Sequence, residues 1–182
     1  LLPRGLMREP RSALRRADSI CLTRVDQVDS AECERLKVQI RAHTAASIAE
    51  IAFRPIQLRN AVGEVESLAK LQSAEVGACC GIGNPQAFLR TLTALGAPPS
   101  AARFRAFPDH HHFTQSDLQE LATWVNSQRV DLLVVTQKDL VKIPQPSIGR
   151  AKLWALEIGV DFLSGEAELC VRLHRTVANT VA

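Results

Sequence analysis

Long apolar runs are missing from this sequence. None reaches the roughly 18 residues that a membrane-spanning helix needs, so no such helix is expected. The N-terminus is basic, but no apolar stretch follows its arginines, and this predicts no secretory signal. Paired cysteine spacing is missing too. Cys21, Cys33, Cys79, Cys80 and Cys170 form an odd set without a CxxC pair, which speaks against a structural zinc site and a secreted disulfide scaffold. Cys21 and the Cys79-Cys80 pair lie in apolar runs, where cysteine acts as a small buried hydrophobe, and a reducing compartment fits this usage. Neither an internal repeat nor a low-complexity segment is visible. Leu1 stands where a methionine would start a chain, and sequence further upstream is expected.

What is present is the composition of an ordinary globular protein, with 46% hydrophobic and 23% charged residues. The formal net charge of +3 is small, but Arg4, Arg8, Arg11, Arg15 and Arg16 are crowded into the first sixteen residues. Such a cluster can meet phosphates, anionic lipid head groups or nucleic acid, or it can be a solvated face.

Strand-like and helix-like stretches alternate. Ser19 to Thr23 reads as a strand, Ser30 to about His43 as a helix, and Ile48 to Leu58 as an exposed or linking strand. Val76 to Ile82 reads as a buried strand entering a Gly-rich turn. Pro85 to Leu95 then carries Phe88, Leu89, Leu92 and Leu95 at helical spacing, with Pro85 in its first turn and Gly96 as its stop. Ala101 to Phe107 is expected as a strand. Ser116 to Gln128 is expected as an amphipathic helix, with Ser116 and Gln119 as its capping box. Asp131 to Thr136 is the clearest buried strand, Gln137 to Gly149 closes in a Pro/Ser/Gly loop, Leu153 to Phe162 reads as a strand and Glu166 to Val177 as a helix. This alternation predicts an α/β fold, a mostly parallel sheet covered by helices, with ligand-binding loops at the carboxyl ends of its strands.

Three polar segments fall at such ends. Asp109-His110-His111-His112 sets a carboxylate beside three imidazoles, and a carboxylate on one ring nitrogen makes the other a better base. Asp109 with His110 is the pair expected to do this, and His111 is the competing histidine. The alternative is a solvated loop with one histidine packed on Phe107 or Phe113. No second ligand cluster accompanies the histidines, so no metal site is assigned. Gly81-Ile82-Gly83-Asn84-Pro85 suits a turn into a helix N-terminus, where Gly83 and Asn84 are candidate anion contacts, or it is a structural turn. It lacks the Lys-Ser/Thr of a Walker A loop. In Thr136-Gln137-Lys138-Asp139, Thr136 can cap the following turn with Asp139 reaching back, and Lys138 and Lys142 can face a phosphate or simply be solvated.

Taken in order, these segments resemble the tetraacyldisaccharide 4'-kinase family. Leu2-Pro3-Arg4-Gly5-Leu6-Met7-Arg8-Glu9-Pro10 is similar to the family's LPAGPLREP segment, and Leu14 to Asp18 to its continuation. Gly81 to Pro85, Phe107-Pro108-Asp109-His110-His111 and Thr136 to Lys142 then follow in the family's order, with Leu153-Trp154-Ala155-Leu156 like its terminal strand. The resemblance covers essentially the whole chain. His112 and Gln137 depart from it, standing where a proline-like residue and Glu or Thr are expected.

The resemblance implies a three-layer, P-loop kinase-like α/β enzyme in which ATP and Mg²⁺ serve phosphorylation of the 4'-hydroxyl of a tetraacylated glucosamine disaccharide 1-phosphate, the lipid A precursor. It implies a peripheral place on the anionic cytoplasmic face of the inner membrane and no nucleic-acid partner. By analogy, residues 1–60 belong to the main lobe, 61–152 to a smaller α/β lobe, and 153–182 to a linking strand and terminal helix. His110, Asp109 and His111 become the catalytic candidates. Arg4, Arg8, Gly83, Asn84, Lys138 and Asp139 become the substrate or phosphate contacts. The family's GKT loop, upstream aspartate and Asp-Asp-Gly-Phe-Gln-His region have no match here, so the chain is expected to be an inactive C-terminal piece with little ATP affinity. A non-catalytic Rossmann-like module that binds a nucleotide or anion is the alternative.

Overall fold

The computed structural model describes residues 7–180, with side chains through 178. The chain forms two compact units, Leu1–Arg54 with Val160–Ala182, and Pro55–Gly159. Two long strands, Ser47–Arg59 and Ala151–Ser164, run across the divisions. The division falls within those strands, between Arg54 and Pro55 and between Gly159 and Val160.

In the first unit, β1 (Ser19–Thr23) lies parallel to the first half of β2 (Ser47–Arg59), with Ser19 opposite Ser47 and Thr23 opposite Ile51. Between them runs α1 (Ser30–Arg41), whose cap is Asp29, accepting from Glu32 N at 2.7 Å. A short 3-10 helix at Arg11–Arg16 precedes β1.

The second unit begins with the rest of β2, which pairs antiparallel with β3 (Val65–Glu66). Then come β4 (Val76–Cys80), α2 (Pro85–Ala94), β5 (Phe104–Ala106), α3 (Gln115–Ser127), β6 (Leu132–Thr136), α4 (Gln137–Leu140), β7 (Ser147–Ile148) and β8 (Ala151–Ser164). The helix α5 (Glu166–Thr180) follows β8 and belongs to the first unit. The strand order in the second unit is β2-β8-β6-β4-β5, and β8-β6, β6-β4 and β4-β5 are parallel pairs.

The apolar runs of β4 and β6 are explained by burial on both faces. Cys79, Leu133, Val135, Leu153 and Ala155 pack towards Leu118, Leu121 and Val125 of α3. The alternate residues Val76, Ala78, Cys80, Leu132, Val134 and Trp154 pack towards Phe88 and Leu92 of α2. Helix, sheet and helix thus make three layers in this unit, with a mostly parallel sheet.

Two local expectations change. The capping box of α3 is Thr114 with Asp117, not Ser116 with Gln119. An aspartate one bond shorter than glutamate still reaches back to the Thr114 N–H, at 2.7 Å, so the helix starts a residue earlier. Ala101–Arg103 is a 3-10 turn, leaving only Phe104–Ala106 as strand, because β4 offers just three partners, Ala78 to Cys80.

Candidate functional site

Three loops converge beyond the carboxyl ends of β4, β5 and β6, all in the second unit. Gly81 leaves β4 and donates its N–H to Asp139 Oδ2 at 3.1 Å, while its carbonyl accepts from His110 N at 3.2 Å. A β-carbon on Gly81 would lie 3.2 Å from His111 Cβ and 3.3 Å from the Pro108 carbonyl and Asp139 Oδ1. A side chain here would press on all three neighbours, and glycine lets the loops approach this closely without that crowding. Asn84 caps α2, its side chain accepting from Ala87 N at 3.0 Å, and Pro85 sits in the first turn. The Asp109 carboxylate stands over Gly83, where a β-carbon would meet Oδ2 at 3.1 Å. That negative charge opposes an anion at the same turn.

The histidines divide sharply. His110 has a left-handed backbone, φ 59°, and its side chain is 84% exposed. Its Nε2 is 3.9 Å from Asp109 Oδ2, beyond hydrogen-bond length, and Asp109 Oδ1 instead accepts from His110 N at 3.0 Å. His111 points inward. Its ring stacks on Phe107 with centroids 4.7 Å apart and meets Phe113 edge-on at 5.1 Å. Its Nε2 is 3.1 Å from Asp117 Oδ2, so the tautomer with the proton on that nitrogen donates to the carboxylate. The pairing of an imidazole with a carboxylate is therefore His111 with Asp117, a partner not foreseen from sequence. The Thr114 backbone N–H and hydroxyl, then His111, hold the Asp117 carboxyl below its usual range. The only sequence signal for Asp117 was the Thr114-x-x-Asp117 spacing of an acidic capping box.

At the end of β6, Thr136 Oγ1 accepts from Asp139 N at 3.2 Å and donates to Asp139 Oδ2 at 2.7 Å. Asp139 is 0% exposed, so its carboxylate works inside the fold. Lys142 Nζ lies 3.7 Å from Asp139 Oδ1 and donates to the His111 carbonyl at 3.2 Å. Lys138 is exposed at the rim. Arg8 is exposed in the first unit, and Arg4 lies outside the described residues. Among the described residues no group of three or more His, Cys, Asp or Glu is placed to hold a metal ion. An open groove of about 550 Å³ along α3, bordered by Arg105, Gln119 and Trp124, contains none of these rim residues.

An α/β unit with a mostly parallel sheet, and polar loops gathered past its strand ends, is the arrangement of ligand-binding α/β proteins. The chain matches the family described as tetraacyldisaccharide-1-P 4'-kinase over residues 1–178, and it belongs to that family. It is 36% identical to the tetraacyldisaccharide 4'-kinase of Anaeromyxobacter sp. (strain Fw109-5), over 98% of this chain and 47% of that protein. The corresponding kinase of Rhodospirillum centenum is 32% identical over 87% of this chain and 42% of its own length. Among solved structures, the "apo" form of LpxK from Aquifex aeolicus in complex with ATP is similar, with TM-score 0.65 and 26% identity, covering 96% of this chain and 47% of that one. The chain thus spans about half the length of the relatives it matches.

Proposed function

We propose that this chain serves an ATP-dependent kinase that phosphorylates the 4'-hydroxyl of a tetraacylated glucosamine disaccharide 1-phosphate in lipid A synthesis. The observation that carries the reading is the family match over residues 1–178, joined to the Asp109-His110-His111 loop standing on the strand-end rim. In this reading His110, exposed at the loop tip, is the group that meets the acceptor hydroxyl and orients it or takes its proton. Asp109 fixes the His110 tautomer once substrate tightens the 3.9 Å gap, since such contacts are often long without substrate. His111 holds the loop through Asp117 and the two phenylalanines.

Phosphoryl transfer depends chiefly on positioning and charge stabilisation. Lys138, exposed just past the end of β6, supplies a positive charge for a phosphate, and Gly83 and Asn84 at the start of α2 are the further phosphate contacts of this reading. No step is routed through magnesium here. Arg4 and Arg8 are proposed to meet the substrate phosphate or the anionic cytoplasmic face of the inner membrane, at about 1 kcal/mol per basic residue near such a surface. No helix among the described residues is long and apolar enough to cross a membrane. On this reading residues 1–60 belong to the main kinase lobe, residues 61–152 form the smaller α/β lobe, and residues 153–182 are the linking strand and the terminal helix that returns to the main lobe.

The test is kinetic, in a full-length family kinase carrying these residues. His110→Ala lowers kcat by about 10²–10⁴-fold with ATP affinity and thermal midpoint kept. His111→Ala lowers the midpoint as well as kcat, because it removes a packed, hydrogen-bonded ring. A His110→Ala enzyme with unchanged kcat rules the catalytic reading out.

A further inference from the structure

Asp139 is the single buried charged side chain among the described residues, and one of its oxygens, Oδ1, has no hydrogen-bond partner. A buried carboxylate needs donors or a cation to replace water, so each unmet oxygen asks for a reason. Oδ2 is met twice, by the Gly81 N–H at 3.1 Å and the Thr136 hydroxyl at 2.7 Å. Beside Oδ1 the compensating charge is Lys142, with Nζ at 3.7 Å. That ammonium is spent on a second contact, the His111 carbonyl at 3.2 Å. The contacts form a closed circuit. Asp139 holds Gly81, Gly81 accepts from His110 N, and Lys142 holds His111 from the other side while staying beside the same carboxylate.

We propose that Asp139 and Lys142 are positioning residues, which lock the 108–111 loop onto the end of β4 and so set where His110 presents its imidazole. The proposal rests on the reading of His110 as a group that meets substrate. It replaces a phosphate-contact role for Asp139, whose carboxylate has no exposed surface. The circuit also explains why the left-handed φ of 59° at His110 can be held, since strained backbone persists where its neighbours over-determine it. Both flanking peptides are pinned, His110 N to the Gly81 carbonyl and the His111 carbonyl to Lys142.

The decisive variant is Lys142→Met, which keeps the length of a half-buried side chain and removes the donor, leaving the fold more secure than a change at Asp139. In the 182-residue chain, removing the charge beside a buried carboxylate lowers the thermal midpoint, and amide hydrogen exchange by NMR is expected to speed up at Gly81 and His110 by about tenfold more than at Val134 in β6. Lys142→Arg, which retains a donor, keeps the protection. Unchanged exchange at His110 overturns the proposal, and so does a uniform loss in which Val134 speeds up as much as His110. In a full-length family kinase carrying these residues, Lys142→Met is expected to lower kcat by about tenfold while the KM for ATP stays within about twofold. If His110→Ala slows that enzyme and Lys142→Met does not, the positioning role fails. If neither slows it, the catalytic reading of the loop fails.

Discussion

The two units of this chain are built on different physics. In the second, Leu58, Leu71, Leu92, Leu121, Leu132, Leu133 and Leu153 are at most 2% exposed, and both core clusters lie there. In the first, the buried apolar residues among those described are Cys33, Ile40, Ala49, Ile51 and Ala52, of which only the two isoleucines are large, while Val38, Phe53, Val160, Leu163, Leu173 and Val177 are exposed. Charged contacts tie the first unit instead. Lys37 Nζ meets Glu50 at 2.5 Å and Glu34 at 2.7 Å, Arg54 meets Asp161, and Arg172 reaches Asp18 at 3.4 Å. Lys37 is held charged by its hydrogen bonds to Glu34 and Glu50, which raise its pKa against the opposing effect of burial. Burial drives the second unit, whereas the first depends on polar ties and tight backbone corners. Lys37 with Glu50 is largely buried, but Arg54 with Asp161 and Arg172 with Asp18 are exposed pairs that contribute little. With so few large buried side chains, the first unit is the one expected to yield first.

The largest expected effect tests the burial side. Leu133→Ala in β6 should cost about 2–5 kcal/mol, because a fully buried leucine leaves a cavity between packed layers. Leu36→Ala on the exposed side of α1, at 44% exposure, should stay within about 0.5 kcal/mol. Urea unfolding followed by fluorescence reads the second unit directly, since both tryptophans, Trp124 and Trp154, are there. Equal costs at the two leucines would erase the contrast.

Next in size is a backbone test of the first unit. Gly165 joins β8 to α5 with φ 76°, and a β-carbon there would stand 2.5 Å from the Ile48 carbonyl and 2.8 Å from Ala49 Cα. Backbone cannot swing aside as a side-chain tip can. Gly165→Ala should destabilise the first unit by more than about 1 kcal/mol, read as faster amide exchange in β1 and β2 with β4 and β6 unaffected.

Thiol chemistry sharpens the same division. Burial, then the Asp139 charge, pushes the Cys80 thiol up to about 11 and the Cys79 thiol still higher, and both are fully buried. Cys33 in the first unit is also raised by burial and by Glu50, but Cys21 is exposed and Cys170 half-buried. Maleimide labelling of the native chain near neutral pH, followed by mass spectrometry, should modify Cys21 first, then Cys170, and leave Cys79 and Cys80 until unfolding.

The smallest effect is a pH dependence. Glu50 is held below the usual carboxyl range by Lys37, Asp117 by Thr114 and then His111, and Glu157 by Arg59 and Gln57. A carboxyl depressed in the folded state adds stability that is fully present above its unfolded value, about pH 4, and fades as pH falls through the lower folded one. Acidification from neutral towards pH 3 should therefore loosen β1 and β2 before β4 and β6, because the first unit has less packing to fall back on. Amide exchange at Arg24, whose N–H donates to the Ile51 carbonyl at 2.8 Å, reports the first unit.

Much of this architecture could be read from residues in order. The apolar runs of β4 and β6, the helical spacing of Phe88 and Leu92, and Gly96 as a stop are local signals, and the structure has a strand, a helix and a positive φ at those places. The grouping of the Gly81, Asp109 and Thr136 loops at one rim was legible as well, because parallel strands deliver their carboxyl ends to the same side. The family resemblance rested on the same short motifs, and the family match covers residues 1–178.

Pairing across the fold was not legible. Asp109 is next to His110 in sequence, yet an extended loop turns neighbours apart, and the imidazole that finds a carboxylate is His111, six residues from Asp117. Asp139 looks like any rim acid in the string Thr136-Gln137-Lys138-Asp139. Its place at 0% exposure comes from contacts with Gly81, Thr136 and Lys142, of which Gly81 arrives from a different strand end. Sequence by itself determined the elements, their order and the motifs, since propensity and periodicity act over a few residues. Tertiary structure alone decided which carboxylate serves which histidine and which charge is buried, because desolvation and hydrogen bonding depend on atoms brought together from distant parts of the chain.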